Sequence, residues 1–232
     1  MSDTESVAAA IPAYNAAPCV GDVVRRTLAQ IGEVVVVDDG SADETASRAR
    51  EAGAEVLAHD FNRGKGAALR TAFAYLAERD FDAVLTLDAD GQHLPEEIPR
   101  LEQAWREGAD LVLGTRDHLF DEMVWLRRAS NTLSSGLISF AAGVRLADIQ
   151  TGFRIYSRCL LEATGFPENR FEAESAVVVR AARRGFKIAT VSVELGFADG
   201  RSTSHYRPVI DSLRIAEAII RARLGSMKGH AQ

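Results

Sequence analysis

Two aspartates separated by one residue, Asp88 and Asp90, follow the apolar run 83–87 and precede Gly91 and Gln92. Carboxylates this close repel each other unless a cation lies beside them. Mg²⁺ and Mn²⁺ are hard ions that prefer oxygen ligands and keep positions open for phosphate, and Gln92 would add an amide oxygen. The same composition is common in solvated turns. A position at the end of a buried strand favours the metal site over the turn.

Three further polar segments follow apolar runs in the first half of the chain. Ligands of open parallel sheets bind beyond the carboxyl ends of the strands. These segments are therefore expected to meet the aspartate pair at one edge of a sheet. They are Pro12–Asn15 after the run 7–11, Asp38–Ser41 after 34–37, and Asn62–Gly66 after 55–58.

The segment Asp38–Ser41 supports two interpretations. Ser41, with Glu44 three residues later, predicts a capping box at a helix start. The carboxylates of Asp38 and Asp39 could also accept hydrogen bonds from a nucleobase N–H or from ribose hydroxyls. The two interpretations are compatible, because the cap uses only the serine and the glutamate.

The segment Gly64-Lys65-Gly66 lacks the preceding glycine spacing of a Walker A motif. It predicts a tight helix start, where free N–H groups together with Arg63 or Lys65 would favour an anion.

Apolar runs alternate with helical periodicity up to residue 115, which predicts a parallel sheet with crossover helices. The predicted strands there are 7–11, 34–37, 55–58, 83–87 and 111–113, and the predicted helices are 20–31, one opening at 41, 66–78 and 95–106. Beyond 115 the pattern predicts helices at 121–142, 171–184 and 208–224, strands at 149–156 and 187–195, and a polar loop at 200–206. No linker composition occurs near 115, so residues 1–232 are expected to form a single α/β domain.

The amino-acid composition excludes several classes of function. The chain has 232 residues, 47% hydrophobic and 26% charged, with a net charge of −6, so no global basic field would attract nucleic acid. The two cysteines, Cys19 and Cys159, form no CxxC pair and are expected to be reduced thiols. No apolar run reaches the ~20 residues of a membrane span, and the N-terminus lacks a signal peptide. We therefore expect a cytoplasmic protein. The apolar face and arginines of 208–224 allow contact with a membrane surface.

The segments 11–15, 37–41, 62–66 and 87–92 together resemble family 2 glycosyltransferases of the GT-A fold, a Rossmann-like, mostly parallel sheet flanked by helices. The similarity continues through 114–116, 151–154 and 204–205. Within the family, the chain is most similar to dolichyl- and polyprenyl-phosphate mannose synthases. The resemblance implies that 1–115 binds the nucleotide sugar and that 116–232 binds the acceptor.

The resemblance also assigns residues to roles. The residues implied to bind the donor are Pro12, Tyr14, Asn15, Val37, Asp39, Lys65, Asp88, Ala89, Arg201 and His205. The metal, Mg²⁺ or Mn²⁺, would be held by Asp90 and Gln92. Arg116 would reach a phosphate and, with Asp88 and Asp90, belong to the catalytic group.

The reaction implied is metal-dependent, inverting transfer from GDP-mannose or a UDP-hexose, with a polyprenyl or dolichyl phosphate as the implied acceptor. Cations to hold the acceptor phosphate would come from Arg127, Arg128 or Arg154. A soluble hydroxyl acceptor is the alternative and requires a general base, with Asp148, Glu172 and Glu174 as candidates.

Two rivals lie outside sugar transfer. A sugar-1-phosphate nucleotidyltransferase is disfavoured, because its glycine-rich first loop is missing here. A non-catalytic sugar-nucleotide-binding protein remains a further alternative, although the intact Asp88, Asp90 and Gln92 argue against it.

Overall fold

The computed structural model describes residues 6–115, 151–196 and 217–218. The strands are β1 (Val7–Ala13), β2 (Val34–Asp38), β3 (Glu55–Ala58), β4 (Ala83–Thr86), β5 (Leu111–Thr115), β6 (Arg154–Ser157) and β7 (Ile188–Ser192). The α-helices are α1 (Val20–Leu28), α2 (Thr45–Glu51), α3 (Lys65–Ala77), α4 (Ile98–Arg106), α5 (Arg158–Thr164) and α6 (Glu172–Arg183). A 3-10 turn, Pro95–Glu97, precedes α4.

The seven strands form one sheet in the order β3-β2-β1-β4-β6-β5-β7. Strand β6 pairs antiparallel with β4 and β5, and the other pairs are parallel. The predicted mostly parallel sheet flanked by helices is therefore confirmed. Strands from both halves of the chain share this sheet, since β6 pairs directly with β4.

Both faces of the sheet are buried, which explains why its central strands are continuous apolar runs rather than alternating ones. Along β2, Val35 and Val37 contribute to one core with α3, α5 and α6. Val34 and Val36 contribute to the other core with α1 and α4. Because side chains alternate between faces along a strand, each core receives every second residue.

The predicted capping box at Ser41 and Glu44 is wrong. Helix α2 begins at Thr45, and Glu44 at its N-cap makes no side-chain capping bond. The Ser41 hydroxyl donates instead to Asp38 Oδ1. The Thr45 N–H donates to Asp43 Oδ1 at 3.1 Å. Residues 38–41 thus close a turn on the Asp38 carboxylate, which delays the helix by one turn.

Where the structure describes it, the second half contains its predicted elements and also helix α5, which the sequence pattern did not predict. The strand expected over 149–156 is β6, the helix expected over 171–184 is α6, and the strand expected over 187–195 is the shorter β7. The predicted helix 121–142 and loop 200–206 lie outside the described residues, as does most of 208–224, of which 217–218 are helical. Within the described part of the chain, no helix is long and apolar enough to cross a membrane.

Candidate active site

The carboxyl ends of β1, β2 and β4 lie side by side, because β1 pairs in parallel with both neighbours. Pro12 lies in register with Val37, and the main-chain N–H of Asp39 donates to the Ala13 carbonyl at 2.8 Å. Val37 is fully buried, whereas Pro12 is half-buried. The structure therefore brings three of the predicted donor-binding residues together, with Val37 beneath the surface.

Asn15 links the first loop to the second. Its N–H donates to Ser41 Oγ at 2.9 Å, and its Oδ1 accepts from the Ala42 N–H at 2.9 Å. Its backbone has φ of 50°, a left-handed conformation that asparagine tolerates better than most residues. The neighbouring Tyr14 is half-buried. Asn15 thus has a structural role in the loop pair, and its contact with the donor stays a prediction.

Asp39 holds the third loop in place from below. Its Oδ1 accepts from the Arg63 N–H at 2.9 Å and lies 2.7 Å from His59 Nδ1, while its Oδ2 accepts from the Gly64 N–H at 2.7 Å. His59 Nε2 in turn lies 2.9 Å from Thr71 Oγ1. The Asp39 carboxylate is almost fully buried and accepts bonds from three protein groups, so its direct contact with a nucleoside stays a prediction.

The first aspartate of the pair, Asp88, is held by a buried lysine. Lys65 Nζ lies 2.7 Å from Asp88 Oδ1 and 2.9 Å from Glu174 Oε2. Burial on its own would lower the pKa of Lys65, but the charges of Asp88 and Glu174 outweigh burial and raise that pKa. Lys65 is therefore a permanent cation beneath this turn.

The second aspartate, Asp90, has a different environment. Its Oδ1 accepts from the Gln92 N–H at 3.0 Å. No lysine or arginine in the described ranges forms an ion pair with it. Burial and then the negative charges of Asp90 and Asp22 raise the pKa of the Cys19 thiol. Ala89, between the two aspartates, is buried.

The oxygen-bearing groups around Asp90 fit a metal ion whose coordination is completed by substrate phosphates and water. One carboxylate and one amide are few ligands, and no group of three or more His, Cys, Asp and Glu residues that could hold a metal occurs in the described part of the chain. Mg²⁺ is usually bound through one or two carboxylates together with substrate phosphates and water. Asp90 and Gln92, both half-buried at the sheet edge, match that pattern.

His93 fixes the turn that carries the two aspartates. Its Nδ1 accepts from the Asp88 N–H at 3.2 Å, and its ring stacks on Phe153 with a centroid distance of 5.3 Å. His93 also forms an isolated bridge with Leu195, and the Gly196 N–H donates to the Gln92 carbonyl at 2.9 Å. The turn is thereby tied to the segment that leads towards residue 197 and the predicted loop 200–206.

The helix start at Gly64-Lys65-Gly66 is tight, as predicted, but the backbone of residues 168–169 covers it. A Cβ at Gly66 would lie 2.6 Å from the Glu168 carbonyl oxygen. The Ala67 N–H donates to the Asn169 carbonyl at 3.0 Å. The free N–H groups expected here are therefore not all available, and Lys65 is turned towards carboxylates. Its contact with the donor stays a prediction.

Two of the residues expected to serve the acceptor are buried instead. Arg154 is fully buried, and its guanidinium donates to the Thr151 and Glu174 carbonyls at 2.7 and 2.6 Å. The expectation that Arg154 holds an acceptor phosphate is therefore wrong. Glu174 is also wrong as a general base, because its carboxylate is buried against Lys65. Glu172 is half-buried, and its role as a base stays a prediction.

The sequence profile described as "Glycosyl transferase family 2" matches residues 8–165, which include every described site residue except Glu172 and Glu174. The chain belongs to glycosyl transferase family 2. The resemblance seen in the four edge segments is therefore confirmed.

Two curated relatives of this family 2 chain have names that refer to undecaprenyl phosphate or to polyprenol. The undecaprenyl-phosphate 4-deoxy-4-formamido-L-arabinose transferase of Edwardsiella ictaluri is 36% identical over 70% of this chain. The polyprenol monophosphomannose synthase of Mycolicibacterium smegmatis is 30% identical over 97% of it. This chain spans 53% of the length of the first relative and 91% of the second.

Solved structures confirm the GT-A fold of this family 2 chain. The glucosyl-3-phosphoglycerate synthase of Mycobacterium tuberculosis, in complex with Mn²⁺, UDP and glucosyl-3-phosphoglycerate, matches with a TM-score of 0.70 at 23% identity. The match covers 96% of this chain and 81% of that one. At this identity the likeness shows the fold alone.

Several predicted residues of the family 2 site lie outside the described ranges. They are Arg116, which directly follows β5, the donor-phosphate candidates Arg201 and His205, and the acceptor-side candidates Arg127, Arg128 and Asp148. Their roles stay predictions.

Sequence reasoning missed four residues that shape this site: His59, His93, Gly152 and Glu174 as a partner of Lys65. His59 directly follows β3 and His93 directly follows Gln92, so their proximity to edge segments was a usable signal. Gly152 lies in the Thr151–Arg154 segment, where a glycine just before a strand can mark a close approach. Glu174 is far along the chain from Lys65, and spacing gives no sign of their contact.

Proposed function

We propose that this family 2 chain transfers a sugar from a nucleotide diphosphate sugar to a polyprenyl phosphate, using Mg²⁺ or Mn²⁺. The observation that carries the proposal is the unequal environment of the two aspartates. Asp88 is paired with Lys65 at 2.7 Å, whereas Asp90 forms no ion pair with a described residue and lies beside Gln92 at the carboxyl edge of the sheet. A turn of this kind offers a donor contact and a cation-binding group two residues apart.

Asp90 and Gln92 would hold the metal. When bound, a divalent ion neutralises the charge that develops on the leaving diphosphate. The solved relative from Mycobacterium tuberculosis contains Mn²⁺ and UDP, which supports use of a divalent ion by this chain.

The remaining donor contacts are assigned by position. Pro12, Tyr14, Asn15, Val37 and Asp39 would surround the nucleoside, with Val37 and Asp39 acting from beneath. Lys65, Asp88 and Ala89 would define the floor of the donor site. We propose that Arg116 reaches a phosphate group and that Arg201 and His205 clamp the diphosphate, where guanidinium groups stabilise developing negative charge.

A lipid phosphate as acceptor agrees with the buried carboxylates. A phosphate nucleophile is already anionic at neutral pH and requires no protein base, whereas a hydroxyl acceptor requires one. Glu174 is engaged by Lys65 and unsuited to that task. The names of both curated relatives, which specify undecaprenyl phosphate and polyprenol, support the same acceptor class.

We further propose that 1–115 binds the nucleotide sugar and 116–232 the acceptor within a single domain. Such an enzyme would work at the cytoplasmic face of a membrane, in peripheral contact through the basic, amphipathic segment 208–224.

The test is a donor screen with acceptor arms. The protein is incubated with GDP-mannose, UDP-glucose or UDP-GlcNAc and Mn²⁺ or Mg²⁺, with either a polyprenyl phosphate in detergent or a soluble sugar. Mass spectrometry then detects a glycosylated lipid phosphate. We expect transfer from one donor to the lipid phosphate, abolished by EDTA and restored by the metal.

Other outcomes of the screen point to the alternatives. Transfer to the soluble sugar alone would indicate a hydroxyl acceptor, with Glu172 or Asp148 as candidate bases. Nucleotide binding without turnover of any donor would favour a non-catalytic sugar-nucleotide-binding protein. In a separate incubation with a sugar phosphate and a nucleoside triphosphate, release of pyrophosphate would indicate a nucleotidyltransferase.

A further inference from the structure

Four segments that are far apart in the sequence meet at Asp88. Lys65 begins α3, Asp88 follows β4, Glu174 lies in the first turn of α6, and Gly152 precedes β6. The Lys65 ammonium lies between the two carboxylates, 2.7 Å from Asp88 and 2.9 Å from Glu174. Their side chains are 14%, 31% and 6% exposed for Lys65, Asp88 and Glu174. Of the three charged groups, Asp88 is therefore the most exposed.

Glu174 prevents Lys65 from following Asp88 away from this position. A buried ammonium is costly unless it is paired, and Lys65 is paired on both sides. If Asp88 rotated outwards, Lys65 would stay with Glu174, and Asp88 would lose its cation. The main-chain N–H of Asp88 is also held, by His93 at 3.2 Å. Both the backbone and the carboxylate of Asp88 are thus fixed before any ligand arrives.

Gly152 has no side chain, and the Asp88 carboxylate and the Lys65 ammonium occupy the space where a Cβ would lie. A Cβ at Gly152 would lie 2.6 Å from Asp88 Oδ2 and 2.7 Å from Lys65 Nζ, which is closer than real Cβ contacts. The Gly152 backbone cannot easily retreat, because its carbonyl accepts from Thr86 Oγ1 at 2.9 Å in the buried sheet. The atoms that would give way are the ends of two side chains. A side chain at 152 would therefore displace Asp88 at little cost to the fold.

We propose that Lys65 and Glu174 are positioning residues that hold the Asp88 carboxylate in the orientation that contacts the donor, and that Gly152 is required because any side chain there displaces it. This inference rests on the proposed function, in which Asp88 is a donor contact. It gives Lys65 a role beneath the site instead of one on the donor phosphate. It also gives Glu174 a role in donor binding, although its own carboxylate is buried.

The first experiment uses Gly152→Ala, which removes no functional group. We measure the dissociation constants of GDP and UDP with Mn²⁺ by calorimetry, the donor KM and kcat, and the melting temperature. Groups that orient site residues from behind typically contribute 10- to 100-fold. We expect nucleotide binding with Mn²⁺ to weaken about tenfold and the donor KM to rise, with a nearly unchanged melting temperature.

Gly32→Ala is the matched control for the glycine substitution. A Cβ at Gly32 would meet nothing within 4 Å, so this variant reports only the general effect of replacing a glycine. We expect wild-type binding from it. Gly152→Ala that binds as tightly as Gly32→Ala would overturn the proposal.

The second experiment separates positioning from folding. Lys65→Met alone leaves Glu174 buried without its cation and is expected to destabilise the fold. The double variant Lys65→Met/Glu174→Gln removes one cation and one anion, so the buried charge stays balanced and the melting temperature should recover. We expect nucleotide binding with Mn²⁺ to stay about tenfold weaker in the double variant. Recovery of wild-type binding together with the melting temperature would mean that the pair is only structural.

An ion pair between α6 and the segment before it serves as the control. Arg180 Nη1 lies 2.6 Å from Glu168 Oε1, with side chains 10% and 16% exposed. Arg180→Met/Glu168→Gln should leave the nucleotide dissociation constant unchanged.

The outcomes also distinguish this inference from the proposed function. A wild-type protein that binds neither GDP nor UDP with Mn²⁺ would overturn both. Wild-type binding that Gly152→Ala and the double variant retain would overturn the positioning role alone.

Discussion

The turn after β2 and the turn after β4 have similar compositions but opposite uses of their carboxylates. Each follows a buried strand with two aspartates and a glycine. Asp38 and Asp39 are 7% and 3% exposed and accept hydrogen bonds from the protein's own N–H and hydroxyl groups. Asp88 is paired with a lysine, and Asp90 accepts one N–H at the edge of the sheet.

The comparison shows that an aspartate-rich turn at this edge is not by itself a ligand site. What decides its use is the number of N–H donors that neighbouring loops bring within reach. In the turn after β2, the loop 62–64 folds over Asp39 and satisfies it. In the turn after β4, Asp90 accepts the Gln92 N–H and forms no ion pair within the described ranges. The first turn is therefore mainly a scaffold, and the second is the one in which we propose the metal site.

The largest effect should come from Asp90. A bound metal contributes several kcal/mol to charge stabilisation, and each 1.4 kcal/mol is about tenfold in rate. We therefore expect Asp90→Ala to lower donor turnover about 100-fold or more, with an unchanged melting temperature, because among the described residues this half-buried carboxylate accepts only the Gln92 N–H. Turnover and thermal unfolding measured on the same preparation would check this.

The control for Asp90 is chelation of the wild-type protein. EDTA should reproduce the loss, and added Mn²⁺ should restore wild-type turnover but not that of Asp90→Ala. Full turnover of Asp90→Ala in EDTA would remove the metal assignment and, with it, the contrast between the two turns.

Asp39→Ala should act on stability first. Hydrogen bonds to a charged group contribute about 1.5–3 kcal/mol each, and removing the carboxylate leaves the Arg63 and Gly64 N–H groups without it. We expect the free energy of unfolding to fall by about 3 kcal/mol, with weaker nucleotide binding as a consequence of the loosened loop. Denaturant unfolding and calorimetry would measure the two effects.

Asp60→Ala, at the exposed position that follows His59, is the control. It should change neither the free energy of unfolding nor nucleotide binding. If Asp39→Ala unfolds like the wild type and loses only nucleotide affinity, Asp39 is a direct ligand. The turn after β2 would then be a site like the turn after β4.

His93→Phe should have an intermediate effect. Phenylalanine can keep the stacking on Phe153 but offers no acceptor to the Asp88 N–H. A buried N–H left without its partner costs about 1–3 kcal/mol, so stability should fall by about that amount and donor KM should rise. His93→Asn, whose side-chain oxygen can accept the bond, should recover part of both losses. A larger effect of His93→Asn than of His93→Phe would show that the stacking on Phe153 matters more than the bond to the Asp88 N–H.

The sequence predicted the sheet well because its signals are local. Val34–Val37 is a β-branched run whose burial on both faces requires no knowledge of partners, and its strand was found within one residue. The edge position of Asp88 and Asp90 followed from the same reasoning, since parallel strands align their carboxyl ends.

Contacts between residues far apart in the sequence could not be predicted in this way. Lys65, the adjacent Gly66 and Glu174 were each noticed, but the contacts of Lys65 with Glu174 and of Gly66 with Glu168 join residues about a hundred positions apart. Because of those contacts, the start of α3 is not an open anion site and Glu174 is not a free base. Lys65 and Glu174 instead form a buried ion pair beside Asp88. The capping box failed for a related reason, because Asp38 competes for the Ser41 hydroxyl, and the local motif carries no information about that competitor.

The smallest expected effect tests this competition. A capping box at Ser41 and Glu44 would make Ser41→Ala and Glu44→Ala similarly destabilising. The structure predicts a difference. Ser41→Ala should cost about 1 kcal/mol, or about 2–4 °C in melting temperature for a chain of this length, because it breaks the bonds to Asp38 and to the Asn15 N–H. Glu44→Ala should have no measurable effect, because its pair with Arg48 is exposed.

A double-mutant cycle between Ser41→Ala and Asp38→Ala identifies the partner directly. If the serine hydroxyl stabilises the turn through Asp38, the two substitutions together should cost less than the sum of their separate effects, since either one removes the shared bond. The same cycle between Ser41→Ala and Glu44→Ala should be additive, because no bond joins those side chains. Coupling of Ser41 to Glu44 instead of Asp38 would restore the capping box. It would also free the Asp38 carboxylate for a ligand, which would bring the turn after β2 closer to the turn after β4.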